Sequence, residues 1–375
     1  MQKSSPIRLI KPNISRPEIE AVSKVLESGM LVSGPVVEKF ESQLAEYLGV
    51  SYAVCVSSGT AALHLALLAK EIKPGDEVIV PAFTFPATAN VVEMIGAVPV
   101  FIDSEPNGVN LDVNHLQSKL SPKTKAIMPV HGFGVPADMN TIMRIAVQYN
   151  WAVIEDAACA LGSKYRDKYC GAIGDMGVFS FHPRKLLTTG EGGAITTNDF
   201  LLAEKLKSLR NHGWNNGEYR HLGYNYRMTD FQAALGVSQL ASYDKLIAKR
   251  RILADIYWDK MKSIGWLKPL LSEKETKWNI QTLLVKLDDN INRNDVISYL
   301  KQSGIETTIG TYCVPLTHYY KVKYGYEPNE FPYAYNLYSQ GLSMPLYDDL
   351  TADDISYIVE TLGKFVPCKE KVAVQ

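Results

Sequence analysis

The chain has 375 residues, 46% hydrophobic and 21% charged, with a formal net charge of −1; that suits roughly two globular domains around a large core. Such a balance argues against nucleic acid or a membrane surface as the main partner. Five cysteines (Cys55, Cys159, Cys170, Cys313 and Cys368) are scattered without a C-x-x-C pair, which disfavours a disulfide framework or zinc ribbon and points to a reducing cytoplasm.

The opening MQKSSPIRLIKP lacks the apolar stretch of a signal peptide. The most apolar run, VVEMIGAVPVFI, is broken by Glu93 and Pro99 and does not span a bilayer. Ser15-Arg16-Pro17-Glu18 is a capping box that opens a helix with Ile19, Val22, Val25 and Leu26 on one face and Gly29 at its end. A second helix carries Val36, Phe40, Leu44 and Leu48 and closes at Gly49.

Strand-like runs then follow at 52–56, 77–80, 98–102, 126–130 and 152–154, with helical stretches at 60–68, 87–95, 113–120 and 139–149 between them. The strands are continuous apolar runs, as expected when both sheet faces are covered, so the layout predicts an α/β fold with a mostly parallel sheet. Short β-like runs at 176–181 and 193–197 flank a loop rich in Thr and Gly. A long helical region over 229–264 leads into a smaller α+β portion, with a strand at 281–287 and helices at 294–302 and 352–363. The expected division is a large domain over 1–240 and a small C-terminal domain over 241–375.

Three strings carry candidate chemistry. Ser57-Ser58-Gly59-Thr60 joins a strand to a helix, where free amides and the positive dipole end suit a phosphate; a simple N-cap fits the string equally well. Glu155-Asp156 ends a strand, where ligands of open α/β sheets gather. Asp156 follows an apolar run, so its carboxylate should be buried and need a partner, either a protonated pyridine nitrogen or a structural ion pair or cap. Lys185 lies between an apolar strand and a Gly-rich turn, next to Arg184, a setting that favours a neutral, nucleophilic amine.

In order along the chain stand VSSGTAAL, PAFTFPATAN, VIEDAACALGS, FSFHPRKLLTTGEGG and GYNYRMTDFQAALGVSQL. With these five strings the chain resembles the DegT/DnrJ/StrS-type sugar aminotransferases, pyridoxal-phosphate enzymes of the aspartate-aminotransferase fold (fold type I), from about Lys11 to about Lys364. The resemblance implies that Lys185 is the Schiff-base lysine and proton carrier, and that Asp156 partners the pyridine nitrogen. It implies phosphate contacts for Gly59, Thr60 and Ser180, and ring stacking for Phe85. Asn225 matches an asparagine that reaches the phosphate from the neighbouring subunit, implying a homodimer with shared sites.

Cys159 stands where such enzymes carry Gln or His near the cofactor's phenolic oxygen, and a thiol is a weak hydrogen-bond partner. His318, in Tyr312-Cys313-Val314-Pro315-Leu316-Thr317-His318, is out of register with the usual Tyr-x-x-Pro-Leu-His, and Tyr335 replaces the usual Glu after Ala334.

The implied reaction moves an amino group from an amino acid, L-glutamate by resemblance, to a nucleotide-linked keto sugar. Overall resemblance to perosamine-type synthases leans toward a 4-keto-6-deoxyhexose; another ring position or a cyclitol stays open. Sugar dehydratases of this fold carry histidine in place of the lysine, so Lys185 favours transamination; a non-catalytic cofactor-binding regulator would not need the lysine. No G-x-G-x-x-G follows the first strands, which disfavours a nicotinamide dehydrogenase. His64 reads as a packed core residue, and His131-Gly132-Phe133-Gly134 as a structural or substrate-lining turn. Tyr319, Tyr320, Tyr324 and Tyr326 fit a nucleotide pocket or ordinary packing. Cys170 and Cys368 carry no evident chemistry.

Overall fold

The computed structural model describes residues 6–270 and 276–366; Cys368 lies outside them. Helix α1 (Arg16–Ser28) starts at the Ser15–Glu18 capping box and ends at Gly29, whose φ of 71° needs no Cβ to clear. Helix α2 (Pro35–Leu48) buries Val37, Phe40, Leu44 and Leu48. From there strands β1 (Tyr52–Val56), β2 (Glu77–Pro81), β3 (Val98–Ile102), β4 (Thr124–Ile127), β5 (Ala152–Asp156), β6 (Met176–Ser180) and β7 (Gly193–Thr197) form one sheet. Helices α3 (Gly59–Ala69), α4 (Ala87–Met94), α5 (Met139–Tyr149) and α6 (Phe200–Leu209) connect or follow them.

The sheet order is β1-β7-β6-β5-β4-β2-β3. Strands β2 to β6 pair in parallel, and β7 runs antiparallel to both of its neighbours. Six strands therefore share one direction, and their C-terminal ends lie along one edge of the sheet. The apolar runs are buried on both faces, with Val54, Val80, Ile154 and Val178 in one core and Ile79, Ile127 and Val153 in another. The mostly parallel α/β prediction holds.

After α7 (Asp230–Leu240) and α8 (Tyr243–Met261), strands β8 (Leu267–Pro269), β9 (Leu283–Leu287), β10 (Thr308–Ile309) and β11 (Gly341–Met344) build a second, antiparallel sheet ordered β8-β9-β11-β10. Helices α9 (Arg293–Gln302) and α12 (Ala352–Gly363) complete this half, while α10 (His318–Tyr324) and α11 (Pro332–Gln340) bury Tyr320, Ala334 and Leu337 in the core of the large sheet. The core of this half takes Leu253 and Tyr257 from α8, Leu300 from α9 and Ile355 and Ile358 from α12. Ile7 joins it from the far end of the chain, exchanging backbone hydrogen bonds with Gly304 (2.8 Å) and Glu306 (2.9 Å).

Three elements differ from expectation. The stretch 113–120 is a 3-10 helix over Val113–Lys119, because the Asp112 carboxylate takes the Asn114 N–H (2.9 Å) and its carbonyl takes the His115 N–H (3.1 Å), tightening the first turn. The long region 229–264 is two helices, broken at Ala241–Ser242, where Ser242 leaves helical geometry. The strand expected at 126–130 lies at Thr124–Ile127, ending before Pro129, which has no N–H to give a ladder.

Asp230, at the start of α7, anchors the N-terminus of α2. Its Oδ1 accepts from the Gly34 (2.8 Å) and Val37 (3.0 Å) amides and its Oδ2 from Val36 (3.3 Å). Asp230 is buried, so removing its carboxylate leaves three amides without their partner, the Val37 amide in a buried position. Asp230→Ala should destabilise the protein by about 2–3 kcal/mol, read as a lower urea midpoint with an unchanged m-value.

Candidate active site

The turn from β1 to α3 gathers helix-start amides and hydroxyls beside the ends of β6 and β7. Ser58 caps the 11-residue helix α3, its Oγ accepting the Ala61 N–H at 3.1 Å, and the Ser57 amide is tied to the Tyr226 carbonyl at 2.8 Å. Gly59 is a glycine because its Cβ would stand 2.9 Å from the Ser180 Cβ. Gly193 of β7 passes just as closely, its Cβ falling 2.6 Å from the Ser58 carbonyl carbon. These two approaches draw the ends of β1, β6 and β7 together, with the Thr60 hydroxyl exposed on the first helical turn and Ser180 half-buried beside it. Free amides, hydroxyls and a dipole end fit a phosphate.

Asp156 ends β5 and is buried. Its Oδ2 accepts from the Thr88 hydroxyl at 2.8 Å and its Oδ1 from the Ala158 amide at 3.2 Å; Thr84 Oγ1 stands 3.1 Å from Thr88 Oγ1, extending the chain of hydroxyls. Burial raises the Asp156 pKa above the usual carboxylate range, and these two donors, Lys185 and His131 offset that in part. Among the described residues no cationic side chain hydrogen-bonds to it. A carboxylate with lone pairs left over in an apolar setting fits a protonated ring nitrogen. Thr88 lies inside the PAFTFPATAN string, and a hydroxyl on the apolar face of α4 is the one sequence signal of its role.

Lys185 follows β6 on a turn closed by its own N–H to the His182 carbonyl (2.8 Å). Its amine is half-buried and donates to Cys159 Sγ at 3.0 Å. The discordant cysteine therefore lies against the lysine. The Phe85 ring is 64% exposed, with Tyr312 at 6.5 Å; Tyr312 reaches it because Tyr312–Cys313 pairs with Phe83–Thr84. Asn225 is exposed beside Tyr226, in a bridge to Asn211. Gly59, Thr60, Ser180, Asp156, Cys159 and Lys185 thus lie at the C-terminal ends of β1, β5 and β6 or on the segments that follow, while Phe85 and Asn225 present open side chains. The phosphate, ring-nitrogen and amine chemistries of pyridoxal phosphate each find matching groups.

The neighbouring carboxylate has another task. Glu155 takes amides from Gly171 (2.9 Å), Ile173 (2.7 Å) and Gly174 (2.7 Å) and bonds His131 Nε2 at 2.9 Å. His131 Nδ1 accepts the Ala137 amide at 3.0 Å, so the ring proton sits on Nε2 and faces Glu155. His131 is thereby structural. His64 is buried on α3 against Tyr224 and Tyr226, and burial lowers its pKa. Tyr320, Tyr324 and Tyr326 pack on one another and on Phe101, and Glu93 accepts from Tyr324 at 2.6 Å and pairs with Lys323. These rings are spent on packing. His318 is exposed at the first turn of α10.

The profile of the DegT/DnrJ/EryC1/StrS aminotransferase family matches residues 12–363. The chain is 39% identical to the spore coat polysaccharide biosynthesis protein SpsC of Bacillus subtilis over 372 residues, 95% of this chain and 96% of that one. It is 38% identical to the GDP-perosamine synthase of Escherichia coli O157:H7 over 367 residues, 96% and 98% of the two chains. The PLP-form of Spr1654 from Streptococcus pneumoniae superposes with a TM-score of 0.91 at 29% identity, over 96% of this chain and 98% of that one.

Because the folded Asp156 binds its proton more tightly than the unfolded one, its share of stability is complete below the unfolded carboxylate pKa. That share is lost as pH rises through the raised folded value. Cofactor-free protein should therefore lose stability over that window, and Asp156→Asn should flatten the loss in melting curves taken against pH. The same substitution should lower turnover by about 100-fold or more.

Proposed function

This chain belongs to the DegT/DnrJ/EryC1/StrS aminotransferase family, and we propose that it moves an amino group from L-glutamate to a nucleotide-linked 4-keto-6-deoxyhexose. It is a pyridoxal-phosphate-dependent aminotransferase. The observation that carries the reading is a pair: the Lys185 amine and a buried Asp156 that no side-chain cation of the described residues bonds, one following and one ending strands that finish at one sheet edge. The perosamine synthase and the spore coat polysaccharide protein among its relatives support a sugar acceptor on a nucleotide.

Pyridoxal phosphate, when bound, supplies an aldehyde that takes up amino groups and a ring that accepts the electron pair left on the donor's α-carbon. The rest falls to the protein. Amides of the α3 N-terminus, with Thr60 and Ser180, hold the phosphate, and Phe85 covers the ring. Asp156, steadied by Thr88 and the Ala158 amide, keeps a proton on the ring nitrogen. Lys185 Nζ removes the proton from the glutamate α-carbon and, in the second half of the exchange, delivers one to the sugar carbon that gains nitrogen. Cys159, in hydrogen-bond contact with that amine, is the neighbour we assign to the cofactor's phenolic oxygen.

The working unit is a homodimer in which Asn225 of each subunit serves the other's phosphate. Supporting this, Met30, Leu31, Val32 and Leu222 are exposed apolar side chains, with Leu222 81% exposed, three residues before Asn225. The cytoplasm is its proposed location: Cys55, Cys159, Cys170 and Cys313 are unpaired. No helix of the described residues is long and apolar enough to cross a membrane.

Adding glutamate to the holoenzyme should abolish the visible absorbance of the bound cofactor. Turnover of glutamate with a GDP-linked 4-keto-6-deoxyhexose should vanish in Lys185→Ala, and NMR of the product should place the amine at C4. Retained turnover in that variant would sink the assignment.

A further inference from the structure

The loop that carries Lys185 is held from the other half of the molecule. One side chain grips the peptide groups on both flanks of the lysine: Gln281 Nε2 donates to the Arg184 carbonyl at 2.6 Å, and its Oε1 accepts the Leu186 N–H at 3.1 Å. Two residues earlier, Asn279 grips the loop of Cys159. Its Nδ2 donates to the carbonyls of Cys159 (3.0 Å) and Leu161 (2.9 Å), and its Oδ1 accepts the Gln281 N–H at 2.9 Å. Both amides are buried.

Between them Ile280 has a φ of 52°, in the left-handed region that a β-branched residue rarely enters unless its surroundings force it. The force is visible in Arg250 on α8, which is buried and donates from Nε to the Ile280 carbonyl (3.0 Å) and from Nη2 to the Gln281 carbonyl (2.9 Å). The same guanidinium binds the Leu346 carbonyl from Nη1 at 3.0 Å. A strained turn, locked by a buried cation, thus presents two amide side chains to the two loops whose side chains meet at the 3.0 Å contact of Lys185 Nζ and Cys159 Sγ.

We propose that Gln281 is a positioning residue for Lys185, and that the turn 279–281 is a clip fixing the backbone from which the amine extends, relative to the loop of Cys159 and to Asp156. The inference rests on the reading of Lys185 as the proton carrier. Gln281 hydrogen-bonds to the loop through its backbone neighbours and leaves the Lys185 side chain free to move. Proton transfer to carbon is steep in geometry, and a misplacement of about 1 Å costs on the order of 100-fold in rate.

Two variants test the clip. Gln281→Met keeps the length and removes both hydrogen bonds; Gln281→Glu keeps the acceptor for Leu186 and loses the donor for Arg184. In Gln281→Met, kcat with glutamate should fall about 10- to 100-fold while KM for glutamate and for the keto sugar stays within about twofold of wild type. In cofactor-free protein, the visible band formed on adding pyridoxal phosphate should appear more slowly. Borohydride trapping followed by peptide mapping should find less of the label on Lys185. Gln281→Glu should fall between, and it is the variant read if Gln281→Met does not fold. Wild-type rates of band formation and wild-type kcat in the folded variant would overturn the proposal, as would a KM that rises while kcat holds. If wild-type protein forms no band at all, the cofactor reading fails and this inference falls with it; a normal wild-type band with an unaltered variant overturns the positioning role alone.

Discussion

A carboxylate shut away from water at the end of a central strand, with two neutral donors and, among the described residues, no side-chain cation bonded to it, is the constraint on which the rest of this molecule turns. Burying such a charge is unfavourable, and protein interiors normally relieve it with an ion pair or a metal. Here the relief is partial, and Asp156 is held at a raised pKa. The fold accepts this because the flanking strands are buried on both faces and tightly paired, so the residue cannot swing out to solvent. A cation that arrives from outside the chain then finds a partner already dehydrated and aimed, which is what preorganisation means in electrostatic terms.

Neighbouring positions on a strand face opposite ways, and β5 uses this to divide labour between two adjacent acids. Glu155 turns to the side where three loop amides and the His131 Nε2 satisfy it. Asp156 turns to the side where the Thr88 hydroxyl of α4 leads on to Thr84 before it. The same alternation makes β6 end in a serine that meets Gly59 across the sheet edge. The placement of Gly59, Ser180 and Asp156 along one sheet edge is thus set by strand register.

Much of this was readable in the chain. Apolar runs without alternation announced a sheet covered on both faces, and Ser15-x-x-Glu18, Gly29 and Gly49 marked helix ends from local chemistry alone. The strings around Gly59, Asp156 and Lys185 were legible because their hydrogen-bonding needs are local: a helix start, a strand end, a Gly-rich turn. What stayed hidden was carried by contacts between distant segments. Nothing in the neighbourhood of Asn279 or Gln281 says that their amides will meet loops near residues 160 and 185, since neither carries a motif and the left-handed Ile280 between them is imposed by Arg250. The tyrosines of α10 were ambiguous for a similar reason. An aromatic residue at a surface helix serves a ligand or a core equally well until the opposing face, here Phe101 and Glu93, is known. Val113–Lys119 has helical spacing, but its first turn is decided by one aspartate side chain.

The clip also ties the order of events during synthesis to the site. The Leu186 amide waits for a side chain that is 95 positions further along the chain. At ribosomal speeds of about 5–20 residues per second that is a delay of roughly 5–20 s. Through that interval the β-sheet edge, its helix start and its buried carboxylate can assemble on the nascent chain while the lysine loop still lacks its hold. The amino end is in the same position, since Ile7 pairs with Gly304 and Glu306, which emerge later still. A nascent chain of this design secures the Lys185 loop late, after most of its length has left the tunnel.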